Sequence, residues 1–372
     1  MGINGPVTVR RARYRCPVTG TFYYPLDELL DLPSGEVTVS LAKRALRLGT
    51  HMSFAELQEE LVYQHEVQLS DTVLNRLMQQ VGGVAGRDQQ EAVEALQALS
   101  EGVAREEHAL SKPSIARPKR LYISCDGVMY PTRYRQTVEG SARKRIVYQE
   151  MKCGTVFWQN GNSRWHKRMI SSRGDTEAFG AALWELAVGC GMLQADEVVF
   201  ISDGGTWCDT VARRYFHDAE RILDWYHLME HVWEAARGLH SDERAASKWA
   251  SRCAGLLEAS SGIGLLRYLE RCRRSRASKP GATAGLDALD GLLGYLRPRI
   301  GITDYVDYRA RGMNIGSGMM ESTCKQLVGN RLKGNGRQWS ESGAVAMCAM
   351  IAHRLNYTWD AFWASRPIHR AA

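Results

Sequence analysis

The residues predict an α/β protein: a mixed sheet flanked by helices, with an all-α insertion inside it and a small helical region ahead of it. Three observations carry this prediction. Apolar, β-branched runs such as "RLYISCDGVMYP", "DEVVFISDGG" and "RILDW" alternate with helical patterns between residues 121 and 228. From His227 to about Arg299 the strand signal disappears, and helical stretches such as "LMEHVWEAARGL" and "GIGLLRYLERCRRS" take over. Ahead of both, short helical patterns follow one another with no strand between them.

Residues 1–36 read as irregular because of Gly5, Pro6, Pro17, Pro25 and Pro33. "SLAKRALRLG" places Leu41, Ala45 and Leu48 on one face and ends at Gly49. "SFAELQEELVYQH" opens with a capping box from Ser53 to Glu56 and repeats Leu57 and Leu61. "SDTVLNRLMQQVGG" starts at Ser70, repeats Val73, Leu77 and Val81, and stops at Gly82-Gly83. Three helices with a tight last connection suggest a helix-turn-helix, with Thr72, Asn75, Arg76 and Gln79 exposed on the third; a plain helical bundle is the alternative. "DQQEAVEALQALSEG" is a polar spacer helix, and 111–120 a linker marked by its prolines and basic residues.

The sheet then begins. "RLYISCD" is a strand ending at Asp126, and "RIVYQEMKCGTVFWQ" alternates and breaks at Gly154 into two more. "DTEAFGAALWELAVGCG" is a helix capped by Asp175, and the order overall is β-β-β-α-β-α-β. After the insertion, "STCKQLVGNRL" and "ESGAVAMCAMIAHRLNYTW" return as helices.

A chain of 372 residues can bury more than one core. The formal charge of +7 and pI of 8.9 suit a nucleic-acid partner without requiring one. Nine scattered cysteines, with no C-x-x-C, argue against a disulfide framework and for reduced thiols. No uncharged run approaches the roughly 18 apolar residues of a membrane span. The expectation is a soluble, cytoplasmic protein.

Asp126 and Asp203 each end an apolar run and are each followed by glycine, which lets the backbone turn away and leaves the carboxylate at the sheet's edge. A hairpin turn at Asp126, or a helix cap from Asp203 to Thr206, would explain the same residues. A third acid bears on the choice. Glu321 is the single carboxylate in a stretch that holds Lys325, Arg331, Lys333 and Arg337. A helix that follows a polyanion should avoid a carboxylate unless it binds metal, and phosphodiester chemistry on two metal ions needs converging carboxylates. The surrounding cations would then hold the DNA backbone.

With these residues in place, "SCDGVMYP", "ISDGGTW", "ILDWYH" and "IGSGMMESTCKQLVGNRLKGNGRQWS" resemble, in order, the signature blocks of DDE transposases of bacterial insertion sequences. The nearest group is the insertion-sequence Kra family and its Mutator-like relatives. The resemblance covers roughly residues 116–345. It implies an RNase H-like core, a catalytic triad of Asp126, Asp203 and Glu321, Mg2+ or Mn2+ as cofactor, and double-stranded DNA as partner, both terminal inverted repeats and target. It also implies a homodimer in a nucleoid-associated setting. "DWYH" matches the family's C/D-x-x-H element at Asp224 and His227, where the histidine would touch a phosphate or a flanking base; an ordinary core histidine is the other reading. Family members carry a cysteine pair near the N-terminus as a small zinc knuckle, but here Thr19 stands where Cys16 would need its partner.

The organisation expected is a 1–110 DNA-binding region, the 111–120 linker, a catalytic core in two parts (121–228 and 313–372), and the insertion at 229–312. Arg273 and Arg274 belong to a run of four arginines that local acids cannot all pair; with Arg76 they join the expected DNA contacts. Two alternatives stay open: an RNase H-like nuclease without strand transfer, and a non-catalytic transposase-derived DNA-binding protein.

Overall fold

The computed structural model describes residues 1–30, 37–98, 114–137, 144–161, 163–278 and 283–365. Leu121, Ile123 and Cys125 alternate with Tyr122 and Ser124, all buried, so the strand they form needs cover on both faces. That strand, β3 (Arg120–Thr137), is the spine of a five-stranded mixed sheet of order β5-β4-β3-β6-β7. Two-residue strands β1 (Tyr14–Arg15) and β2 (Phe22–Tyr23) form a separate ribbon near the start of the chain. β4 (Lys144–Gln159) pairs antiparallel with β3 and with β5 (Trp165–Ser172). β6 (Glu197–Ser202) and β7 (Glu220–Leu223) continue the sheet in parallel on the other side.

Helices cover both faces, and each cover explains a pattern in the sequence. Ahead of the sheet come α1 (Pro25–Leu29), α2 (Val39–Gly49), α3 (Phe54–His65) and α4 (Asp71–Ala98). α5 (Thr176–Gly189), capped by Asp175, and α6 (Thr206–Tyr215) pack Phe179, Leu183 and Val211 on Leu121, Ile123, Val156 and Phe200. On the opposite face Tyr122, Phe157, Val199 and Ile201 meet α7 (Trp225–Leu239), α8 (Glu243–Ala277) and α9 (Thr283–Leu296). The helices of the 229–312 segment therefore share their core with the sheet, and Trp249 is buried in it.

The N-terminal helices do not close on themselves either. Leu41, Leu57, Leu74 and Leu77 join one core with residues of the C-terminal helices α11 (Gly318–Cys324), α12 (Asn330–Leu332), α13 (Glu341–Leu355) and α14 (Trp359–Ser365); α10 (Tyr305–Ala310) ends the segment before them. The expected boundary at 110 and the first residues of the expected linker lie outside the described residues. Among the described residues, no helix is long and apolar enough to cross a membrane.

Three glycines act differently from their sequence signals. Gly82-Gly83 do not end a helix: α4 runs through them to Ala98, and Gly82 is there to admit another helix, since a Cβ on it would overlap the backbone of Ala346 where α13 crosses. The expected spacer is the second half of that same helix. Gly154 does not split its strand: β4 passes straight through it, and the missing side chain admits Leu183 and Phe179 of α5. The third strand of the meander is β5, not the second half of β4. Gly82→Val is expected to cost about 1–3 kcal/mol by overpacking, read as an earlier urea midpoint; an unchanged midpoint would mean the crossing can open without loss.

Candidate active site

Asp126 does not end its strand. β3 continues to Thr137, and what stops near Asp126 is pairing with β6, whose last partners are Ser124 and Ile201. Along one face of β3 the side chains run Tyr122, Ser124, Asp126, Val128, Tyr130. Tyr122 belongs to the core under the 229–312 helices, and Val128 and Tyr130 to the core of the terminal helices. Asp126 thus sits at the seam between two apolar cores. Gly127 makes no turn; a Cβ there would overlap the carboxylate of Glu150.

Asp203 immediately follows β6, in a turn that depends on Gly204 at φ +76°. Its Oδ1 accepts from the Gly205 N–H at 2.7 Å, and α6 has Gly205 as its N-cap with no side-chain cap bond, so Asp203 does not cap the helix at Thr206. The turn is gripped from the far end of the helical segment. Tyr295 Oη donates to the Asp203 carbonyl at 2.6 Å, and Arg299 donates from Nε and Nη2 to the Gly204 carbonyl at 3.1 and 2.6 Å. The Arg299 guanidinium lies 4.3 Å over the Tyr295 ring, and a Cβ on Gly204 would overlap it. Neither residue carries a sequence signal, since both sit in an ordinary helical pattern.

His227 lies in the first turn of α7, whose N-cap Asp224 accepts from the Tyr226 N–H at 2.9 Å and from the hydroxyl of Ser317. Asp224 is buried, so the D-x-x-H element is tied directly to the segment that leads into α11. His227 Nδ1 faces Glu230 at 3.2 Å, and its ring meets that of His231 edge-on at 5.2 Å. His231 in turn lies 3.9 Å from the Tyr295 ring, and burial lowers its pKa.

The charges of Asp203 and His227 act on Asp126. The Asp126 carboxyl is raised above its ordinary range, first by burial and then by the negative charge of Asp203, against the Gly127 N–H and His227, which lower it. Two thiols border it. Cys153 is its cross-strand partner, and Cys324 Sγ lies 3.9 Å from Asp126 Oδ2. Cys153 is held well above the usual thiol range by its side-chain hydrogen bond with Cys324 and by burial.

Glu321 is exposed in the first turn of α11, one turn before Cys324 and so on the same side of the helix. Lys167 Nζ donates to the neighbouring Ser322 hydroxyl at 3.1 Å, which holds α11 on the sheet. Among the described residues, no group of three His, Cys, Asp or Glu is arranged to hold a metal ion. A raised carboxyl beside a second carboxylate is a donor pair whose charge a cation would relieve. Near the N-terminus the Thr19 N–H donates to Cys16 Sγ at 3.5 Å, so Thr19 occupies the place of a second thiolate.

The expected DNA contacts separate. Lys325, Lys333, Arg274 and Arg76 are exposed. Arg337 is half-buried and donates to the Asn330 and Arg331 carbonyls at 3.0 and 2.9 Å, closing a helix end. Arg273 pairs with Asp290, so that member of the arginine run does have a local acid. Arg331 departs from expectation altogether. It is 3% exposed, donates to the Gly49 carbonyl at 2.9 Å, and lies between the rings of Phe54 and Trp339. Burial pushes its pKa down to about 10. It joins the N-terminal helices to the C-terminal ones and has no face toward a phosphate.

Arg299→Gln is expected to slacken the Asp203 turn while leaving the fold in place. If the site cleaves phosphodiesters, the rate should fall roughly 10- to 100-fold, in line with misplacement of about 1 Å, with the melting temperature little changed. A rate equal to the parent's would mean the turn holds itself.

No family model matches the chain, and no curated protein matches it. Among solved structures it is similar to the Drosophila P element transposase strand transfer complex at 12% identity, with 85% of this chain and 92% of that chain covered and a TM-score of 0.36. A likeness at that level carries no weight for function.

Proposed function

We propose that this chain is a DDE-type DNA transposase with an RNase H-like core, which cleaves the ends of a mobile element and transfers the 3′-hydroxyl to target DNA. The observation that supports the reading is that Asp126 lies at the seam between the two cores with Cys324 of α11, the helix that carries Glu321, 3.9 Å from its Oδ2, where the charges of Asp203 and His227 act on it. The sheet order, with antiparallel β4 and β5 on one side of β3 and parallel β6 and β7 on the other, is compatible with the core that the sequence blocks imply.

In this reading Asp126, Asp203 and Glu321 would hold Mg2+ or Mn2+. Bound there, a divalent cation would polarise the scissile phosphate. The chain's own groups do the rest. Tyr295 and Arg299 fix the Asp203 backbone, Asp224 fixes the helix that carries His227, and His227 orients a phosphate oxygen or a flanking base. Lys325 and Lys333 hold the backbone on either side, and two protomers bring two ends together.

The exposed place of Glu321 favours one second reading, a transposase-derived protein that binds DNA without cutting it. Incubation with a duplex carrying the inverted repeats that flank the gene, plus a supercoiled target and Mg2+ or Mn2+, separates the readings. Metal-dependent cleavage with joined products is expected. Cleavage without joining would leave a nuclease, and binding without cleavage would leave the second reading.

A further inference from the structure

β3 and β4 outrun the sheet. Pairing of β3 with β6 stops at Ser124 and pairing of β4 with β5 at Lys152, yet β3 and β4 remain partnered as far as Thr137 and Lys144. Val128, Tyr130 and Thr132 are still buried, and at about 3.3 Å per residue the exposed end from Arg133 to Thr137 advances roughly 13 Å further. The bracing ends at Trp339: the Arg133 N–H donates to the Trp339 carbonyl at 2.9 Å, and the Trp339 N–H to the Pro131 carbonyl at 3.2 Å. A two-stranded ribbon alone is marginally stable in water, so its unpacked end is expected to work against a partner.

Its side chains say which kind. Arg133, Tyr134, Arg135, Gln136, Arg145 and Tyr148 are exposed. Among the described residues from Gly127 to Gln149 there is no acid, and Arg133, Arg135 and Arg145 have no ion pair. This differs from the arginine run of α8, where Arg273 is already engaged by Asp290. The bridge at Trp339 also sets the Lys333–Arg337 loop beside the arm, so that the cations continue from one element to the other.

We propose that this β3–β4 arm grips duplex DNA. Arg133, Arg135 and Arg145 neutralise backbone phosphates of a duplex that leads toward the Asp126 seam, and Tyr134 and Tyr148 pack against its sugars. A two-stranded ribbon has the width that a major groove admits. The inference rests on the transposase reading and names a surface for its DNA; it would not serve a single strand, because arginines spaced along a stiff ribbon match a rigid backbone.

The test compares the full chain with R133Q/R135Q/R145Q and with the charge-keeping R133K/R135K/R145K, binding a duplex of arbitrary sequence between about 50 and 200 mM salt. Each lost phosphate contact lowers the log–log salt slope by about 0.9. The Gln variant should therefore lose close to three units of slope, and the Lys variant should keep them. A Gln variant with the parent's slope would overturn the arm and leave the transposase reading standing, provided the parent binds. A parent that binds no duplex would overturn both. Sedimentation adds a third arm: if the Gln variant loses self-association but keeps its slope, the ribbon joins two protomers and the DNA assignment fails. Should the triple Gln variant not fold, Arg145→Gln alone decides, with a slope loss near one unit expected.

Discussion

Asp126→Asn and Asp203→Asn are each expected to lower the rate of DNA cleavage by about 10²- to 10³-fold, the scale on which losing one charge-stabilising group acts at a reacting centre. Asp126→Asn should at the same time raise the melting temperature at neutral pH. The sign follows from linkage. Burial and the Asp203 charge raise the Asp126 carboxyl above its unfolded value, so the fold favours the protonated form. The stability this residue contributes is complete below the unfolded value and is lost as pH rises through the folded one. Asparagine mimics the protonated form, so its advantage should be present at pH 7 and vanish in acid, where the parent's Asp126 is itself neutral. Glu321→Gln, at an exposed position, should lose cleavage with no change in melting. A variant that retains cleavage within tenfold of the parent leaves the site. An Asp126→Asn protein that melts lower than the parent would show that the carboxylate is stabilised where it stands.

Arg331→Ala is expected to destabilise the protein by roughly 2–4 kcal/mol, since it leaves the Gly49 carbonyl without its donor and a void between two rings. The loss should persist at high salt, because a buried hydrogen bond and packing are little screened. Lys333→Ala, on the exposed side of the same segment, should unfold with the parent and change only the salt dependence of DNA binding. Urea unfolding at two salt concentrations separates the two. An Arg331→Ala protein as stable as the parent but with a reduced salt slope would return Arg331 to the DNA surface.

The case of Arg331 shows where sequence periodicity stops. Counted on a regular helix, Lys325, Arg331 and Lys333 belong to one basic stretch. On a helix Arg331 and Lys333 are about 200° apart, so a shared basic stretch is not a shared face, and the π turn at Lys325–Gly329 shifts the phase further before the helix resumes at Asn330. Arg331 turns inward and Lys333 stays out. Gly127 and Gly154 misled for a related reason: a glycine signals a turn when only its own chain is considered, but it equally signals another side chain or helix passing close by. The order β-β-β-α-β-α-β, the cap at Asp175 and the capping box at Ser53 were legible because each depends on residues a few positions apart.

By itself the amino-acid sequence determined the mixed α/β architecture, the succession of its elements and the short list of acids worth testing, since period, capping and strand composition are local properties of the chain. Tertiary structure alone decided that β3 passes through Asp126 as a long arm, that the seam between two cores is where this carboxyl lies, that Tyr295 and Arg299 hold the Asp203 turn from about ninety residues away, and that Arg331 belongs to the core. Those facts depend on which surfaces meet, and burial is settled by contacts between distant segments that no local pattern encodes.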